Sequence, residues 1–236
     1  MSGTVLPVDG ITYHGRLAGG WEQRYRKPSF KARERVLLKC LEARNIVGTL
    51  WLDAGCGTGT LSRWLAERGC CVMGFDGAPE MVRAAVQHSI AHSRHGQLAF
   101  ARVDSLACLP VPDVSVDGLL CSSVLEYVSS PAACLAEFAR VLKPGGQLLV
   151  SVPNRNSMVR HMQLASHRLS KMIGGRCFDF LEYSTHQYSP REFRSLLTQS
   201  GFTTSKILSF GSPLPRLAQR SSGWASLLMF AAQKSA

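Results

Sequence analysis

The chain has 236 residues, 45% of them hydrophobic, which is the upper end of one ordinary domain and enough apolar surface for a sizeable core. Its longest apolar stretch, Trp224 to Ala232, falls far short of the roughly 20 residues of a membrane span and reads as a buried strand. A formal net charge of +11 admits nucleic acid, an anionic membrane surface or plain solubility. The basic residues crowd Arg16 to Arg44 and Arg155 to Arg176 without the aromatic interleaving of an RNA-recognition fold or a zinc finger, so nucleic acid is not expected as a partner.

The N-terminus carries Asp9, His14 and scattered glycines where a secretory signal would need a basic start and an apolar run, so a cytoplasmic location is expected. Residues 1–48 read as a polar start followed by a helix near Phe30 to Arg44. From residue 50 onward, apolar runs alternate with amphipathic stretches, the pattern of βαβ units and a largely parallel sheet. Strand Leu50 to Asp53 leads through a glycine turn into a helix with Leu61, Trp64 and Leu65 on one face, ended by Gly69. Strand Cys71 to Phe75 ends at Asp76, and Pro79 opens a helix bearing Val82, Val86 and Ile90. Strands follow at Leu98 to Val103 and Val116 to Ser122.

Pro131 opens a helix that stops at Lys143-Pro144-Gly145-Gly146, before strand Gln147 to Val152. Ser189-Pro190-Arg191-Glu192 is a capping box for a helix running to Gly201, and strands Thr203 to Phe210 and Ala225 to Ala232 close the sheet. The fold class is therefore α/β, doubly wound, with seven strands. One domain is expected over residues 1–236: an N-terminal helical segment (1–48), a core (49–153), an insertion (154–187) and a final helix with strands (188–236). Ligands of such sheets bind beyond the C-terminal strand ends, where segments 1–48 and 154–187 act as lids or walls. The eight cysteines are scattered through strands and helices with no CxxC pair, so reduced thiols and no metal site are expected.

Leu52-Asp53-Ala54-Gly55-Cys56-Gly57-Thr58-Gly59 follows a strand and opens a helix, so its glycines let a ligand approach the backbone at a helix N-terminus. A dinucleotide fingerprint would want Gly or Ala where Thr60 stands, and Asp53 would set a carboxylate beside a pyrophosphate. An acid there suits a ligand carrying an ammonium group, as the amino acid end of S-adenosylmethionine does. Asp76, followed by Gly77 at the next strand end, is placed to accept from both ribose hydroxyls. Asp104 with Ser105 is placed to read an adenine edge, with Met81 and Leu106 against its faces.

These features, with Gly74-Phe75-Asp76 and Leu142-Lys143-Pro144-Gly145-Gly146, resemble the class I S-adenosylmethionine-dependent methyltransferases over about residues 30–150. Within that class the chain looks most like the UbiG-type O-methyltransferases of ubiquinone biosynthesis. The likeness is carried by an arginine-bearing helix before the glycine turn, Val124-Leu125-Glu126-Tyr127-Val128, and Asn154-Arg155-Asn156 opening a long insertion. The resemblance implies a seven-stranded sheet with its last strand antiparallel, and methyl transfer from S-adenosylmethionine. It also implies that Arg33 or Arg35 meets the methionine carboxylate, and that Cys121 or Ser122 lines the adenosine. The family's metal-linked pattern of two glutamates and a histidine falls here on Ser123, Glu126 and Tyr127, of which only Glu126 keeps its type, so metal dependence is not expected.

Methyl transfer to a hydroxyl needs a proton acceptor, and His186, at the end of the insertion, is the candidate base. The insertion interleaves Met158, Val159, Met162, Leu164, Leu169, Met172 and Ile173 with Arg155, Arg160, Arg168 and Lys171. That mixture fits a lid over a lipophilic small-molecule substrate, a helix resting on an anionic membrane surface, or a plain packing helix. N- or C-methylation, or binding of S-adenosylmethionine without transfer, would leave the same cofactor residues in place.

Overall fold

The computed structural model describes residues 10–26, 28–42, 44–90, 97–175, 177–211 and 222–235; Asp9 and Arg176 lie outside them. The strands are β1 (Leu50–Ala54), β2 (Cys71–Asp76), β3 (Leu98–Arg102), β4 (Val116–Ser122), β5 (Leu142–Pro153), β6 (Phe202–Phe210) and β7 (Leu227–Lys234). They form one sheet in the order β3-β2-β1-β4-β5-β7-β6. Pairing is parallel from β3 to β5, and β7 runs antiparallel to both β5 and β6. The order reverses between β1 and β4, which is where an open sheet of this kind offers a crevice.

Period-2 alternation along the strands feeds a separate core on each face of the sheet. Leu52, Leu119, Cys121, Leu148 and Val150 face one side and pack with Phe138 of helix α6 (Pro131–Val141) and Phe193 of helix α8 (Pro190–Gln199). Their neighbours Trp51, Leu120 and Leu149 face the other and pack with Leu37 of α3 (Pro28–Leu41) and Trp64 of α4 (Thr60–Ala66). Cys70, just before β2, is buried and Cys71, its first residue, is exposed, and all eight cysteines are free thiols. The capping box forms: Ser189 Oγ accepts from Glu192 N, and Glu192 accepts from Ser189 N. Most boundaries shift from expectation by up to about three residues, and the largest departure is at β5. Strand β5 begins at Leu142 and not at Gln147, because buried Leu142 pairs with Val116 across an irregularity that accommodates the glycines.

The segments outside the alternation cover the C-terminal strand ends. Helices α1 (Gly10–Arg16) and α2 (Ala18–Tyr25) pack on α5 (Pro79–Ile90), where Ala18 and Trp21 meet Ala78 and Met81. The insertion contributes α7 (Met158–Met172) and a 3₁₀ turn at Asp179–Glu182. A single bridge between Asn154 and Tyr188 joins its two ends.

Candidate active site

Three glycines of the turn after β1 have positive φ, Gly55 at 78°, Gly57 at 54° and Gly59 at 75°, but they do different work. A Cβ on Gly55 would lie 2.3 Å from Val124 and one on Gly59 2.8 Å from Phe100, so these two allow close packing. A Cβ on Gly57 would meet nothing nearer than Trp21 Nε1 at 3.6 Å and Met81 Sδ at 4.0 Å. A Cβ at the middle glycine would sit in ordinary contact with Trp21 and Met81 and clash with nothing, so this bare stretch of backbone is the cradle where a ligand can approach. Gly55 N and Cys56 N donate to Phe75 O at 2.7 and 3.0 Å, which fastens the turn to β2.

Asp76 completes that fastening. One carboxylate oxygen accepts from Gly57 N at 2.9 Å and the other from Ala78 N at 2.8 Å. Burial raises its pKa in spite of these amide bonds. A carboxylate has about four lone-pair sites, so Asp76 retains capacity for hydroxyl donors. Asp53 is buried at the end of β1 and accepts from Ser62 Oγ at 2.6 Å. Burial outweighs that bond and pushes Asp53 up to about 7.

Arg33 and Arg35 separate cleanly: Arg35 is exposed, while Arg33 is buried with Nη2 donating to Ser123 Oγ at 3.0 Å. The Arg33 Nε has no partner among the described residues, and its charge acts on both Asp53 and Glu126. Glu126, in the loop after β4, is buried with Oε2 also unpartnered, and burial pushes it up to about 7. Arg160 of α7 is buried nearby and donates to Ser184 Oγ at 2.7 Å. Cys56, Met81, Cys121 and Ser122 are buried around these strand ends, and Gly77 lies under Ile11. Asp104 stands apart: it is exposed and paired with Arg102 at 2.6 Å, while Ser105 Oγ accepts from Ala107 N. His186 Nε2 lies 3.0 Å from Val128 O, and the ring stacks on Tyr188 in a cavity also lined by Ser130, Arg155 and Glu192. None of these is a residue of the glycine turn.

The largest contribution that sequence reasoning missed comes from the N-terminal helices. Glu22 Oε1 accepts from Thr58 Oγ1 (3.0 Å), Thr60 Oγ1 (2.8 Å) and Arg63 Nη2 (2.6 Å), which clamps α2 onto the far side of the turn. Burial alone would raise the Glu22 pKa, but the bonds from Thr60 and Arg63 outweigh it and the net direction is down. Beside it Tyr13, His14, Trp21 and Tyr127 form an aromatic cluster, extended by Tyr183, which stacks on Tyr13 at 4.7 Å. Only the Tyr13-His14 and Trp21-Glu22 pairs are adjacent in sequence, and no local pattern marks these residues as a group.

Residues 52–150 match the family described as a methyltransferase domain. The ubiquinone biosynthesis O-methyltransferase of Xylella fastidiosa (strain 9a5c) is 32% identical over 190 residues, 78% of this chain and 73% of the relative. This chain belongs to the S-adenosylmethionine-dependent methyltransferases. The methyltransferase shares its fold with an S-adenosylmethionine-dependent methyltransferase of Thermotoga maritima, with TM-score 0.69 and 17% identity over 95% of this chain and 99% of the other. It shares it also with the magnesium protoporphyrin IX methyltransferase of Synechocystis, solved with bound SAH, with TM-score 0.61 and 21% identity over 97% and 89%. S-adenosylmethionine is the cofactor of this methyltransferase. The residues present fit it: uncrowded, side-chain-free backbone at Gly57, a carboxylate with spare lone pairs at Asp76 and an unpartnered guanidinium nitrogen on Arg33.

The buried carboxyl of Glu126 makes stability depend on pH. Its folded pKa, about 7, lies above the ordinary 4.5, so the unfolded chain ionises first. The destabilisation is absent below the ordinary value, grows as pH rises toward 7 and is constant above it. Glu126→Gln is therefore expected to gain stability relative to the parent between about pH 5 and about pH 8, read as the shift in urea midpoint. An equal difference at both values would overturn this account.

Proposed function

We propose that the protein methylates a hydroxyl oxygen of a small, apolar acceptor, with S-adenosylhomocysteine as product. The observation that carries this reading is the 32% identity to a relative named as an O-methyltransferase. The aromatic cluster supports the apolar character of the acceptor, because Tyr13, Trp21 and Tyr127 wall the space beside the cradle with flat carbon surface. In this reading residues 1–236 act as one methyltransferase unit, in which segments 1–48 and 154–187 shape the acceptor side.

When bound, the cofactor supplies a methyl group on a sulfonium, already reactive toward a nucleophile. The task of the chain is to align acceptor and methyl and to exclude water. Asp76 takes the ribose hydroxyls, Gly57 makes room for the cofactor, and Gly55 and Gly59 hold the turn. Arg33 takes the methionine carboxylate through its free Nε, and Asp53 the ammonium. Met81, Cys121 and Ser122 line the adenosine, with Gly77 and Cys56 shaping the backbone beside it. Exposed Asp104 and Ser105 meet the adenine edge only if Arg102 gives way.

A metal does not fit the positions where the resembled pattern would hold one. Ser123 accepts from the Arg33 guanidinium, whose positive charge opposes a cation there, and Tyr127 packs against His14. The exposed face of α7 carries Met158, Met162, Leu169 and Met172 in one stripe, beside the exposed Arg168 and Lys171. That face fits peripheral contact with an anionic membrane surface from which a lipophilic acceptor is drawn. No helix among the described residues is long and apolar enough to cross a membrane.

Three measurements test this reading. Asp76→Ala is expected to weaken S-adenosylmethionine binding by about 1.5–3 kcal/mol, roughly ten- to 150-fold by calorimetry; unchanged affinity would remove Asp76 from the site. Against a panel of phenols, catechols, amines and lipids, O-methyl products are expected, with turnover preserved in EDTA. Products on nitrogen or carbon alone, or turnover lost to EDTA and restored by magnesium, would sink the corresponding part. Leu169→Asp is expected to reduce co-sedimentation with anionic vesicles, because a carboxylate on that stripe is costly to desolvate; equal binding would remove α7 from the contact.

A further inference from the structure

The insertion histidine, His186, is poorly placed to take a proton at the cradle, since it lines a cavity with Ser130, Arg155 and Glu192 that holds no residue of the glycine turn. Of the other described histidines, His88 faces Glu22, and His161 and His167 lie on the insertion helix α7, away from the glycine turn. His14 is different. It lies on α1, half-buried, with its ring 4.6 Å from Tyr127 and 5.6 Å from Trp21, the residue whose indole stands over Gly57. It therefore sits where the cofactor cradle meets the aromatic wall.

Its hydrogen bond fixes which nitrogen is available. Nδ1 lies 2.7 Å from Gly10 O. A carbonyl oxygen only accepts, so Nδ1 carries the hydrogen, and in the neutral ring Nε2 then holds a lone pair. No described residue takes that lone pair. We propose that His14 is the general base of the O-methyl transfer, accepting the acceptor hydroxyl proton on Nε2. This inference rests on the O-methylation reading above. In the step the acceptor O–H bond breaks and its proton passes to Nε2. An oxygen lone pair forms the bond to the methyl carbon, and the carbon–sulfur bond breaks with its electrons left on sulfur.

The surroundings keep the ring unprotonated. Burial lowers the His14 pKa below its ordinary 6.5; the bond to Gly10 and the charge of Asp76 at the end of β2 oppose this, and Arg24 of α2 adds to it. Tyr13 on its own helix, Tyr127 after β4 and Trp21 are the remaining facing groups, and Glu80 of α5 lies against Gly15 on the next residue. The base is consequently in its active form at neutral pH, and turnover falls only as pH drops through a value under 6.5.

The decisive variant is His14→Asn, whose amide can keep the bond to Gly10 O but offers no basic nitrogen. With a hydroxyl acceptor from the panel, its kcat is expected to fall by roughly a hundredfold or more, with S-adenosylhomocysteine affinity within about twofold of the parent. His186→Ala is expected to retain turnover. Nitrogen-15 spectra of the imidazole supply an independent reading: they should show the Nδ1–H form and a titration below 6.5. Full turnover of His14→Asn, an Nε2–H form, or titration above neutrality would each overturn the proposal. A panel yielding only amine products would overturn the O-methylation reading and the His14 role with it, whereas O-methyl products with full turnover of His14→Asn would overturn His14 alone.

Discussion

The bonds from Asp76 to the amides of Gly57 and Ala78 hold the cofactor end of the molecule in shape. They tie the turn after β1 to the start of α5, the helix that carries Met81. The parallel register of Asp53 with Gly74 and Ala54 with Phe75 brings the two strand ends level, without which that carboxylate would not reach the turn. A single side chain thus sets the spacing between the two βα units that meet at the crevice.

Much of this was legible in the sequence, for definable reasons. Strand and helix identity follow from local periodicity, and the glycine turn, the capping box and the strand-end aspartates are each short-range signals. Sequence reasoning correctly expected the seven-stranded fold and the S-adenosylmethionine class. What local pattern could not contain was assembly across distance. Glu22 reaches Thr58 and Thr60 from 36 and 38 residues away, and His14 of α1 meets Tyr127 in the loop after β4. Arg33 and Arg35 differ only in which face of α3 meets the sheet, and no count of charges separates them. Asp104 shows the converse: it sits just past a strand end as expected, yet it is exposed and paired with Arg102.

The strand ends concentrate ionisable groups in a setting that disfavours charge. Asp53, Asp76 and Glu126 are all raised by burial, and the guanidinium of Arg160 is lowered by it. Such a collection costs stability and persists only where the fold over-determines it. Here the sheet does so from below, the N-terminal helices from one side and the insertion from the other.

The bridge between Asn154 and Tyr188 has an evolutionary reading. Tyr188 N donates to Pro153 O and Arg155 N to Tyr188 O, so the chain leaves the sheet and returns to it at one point. A segment stitched at its base can lengthen, shorten or be exchanged for a small closure entropy, because the ends stay where they were. The 154–187 stretch is in that sense a cassette: it can diversify by insertion and deletion while the strands that carry the cofactor cradle stay in register.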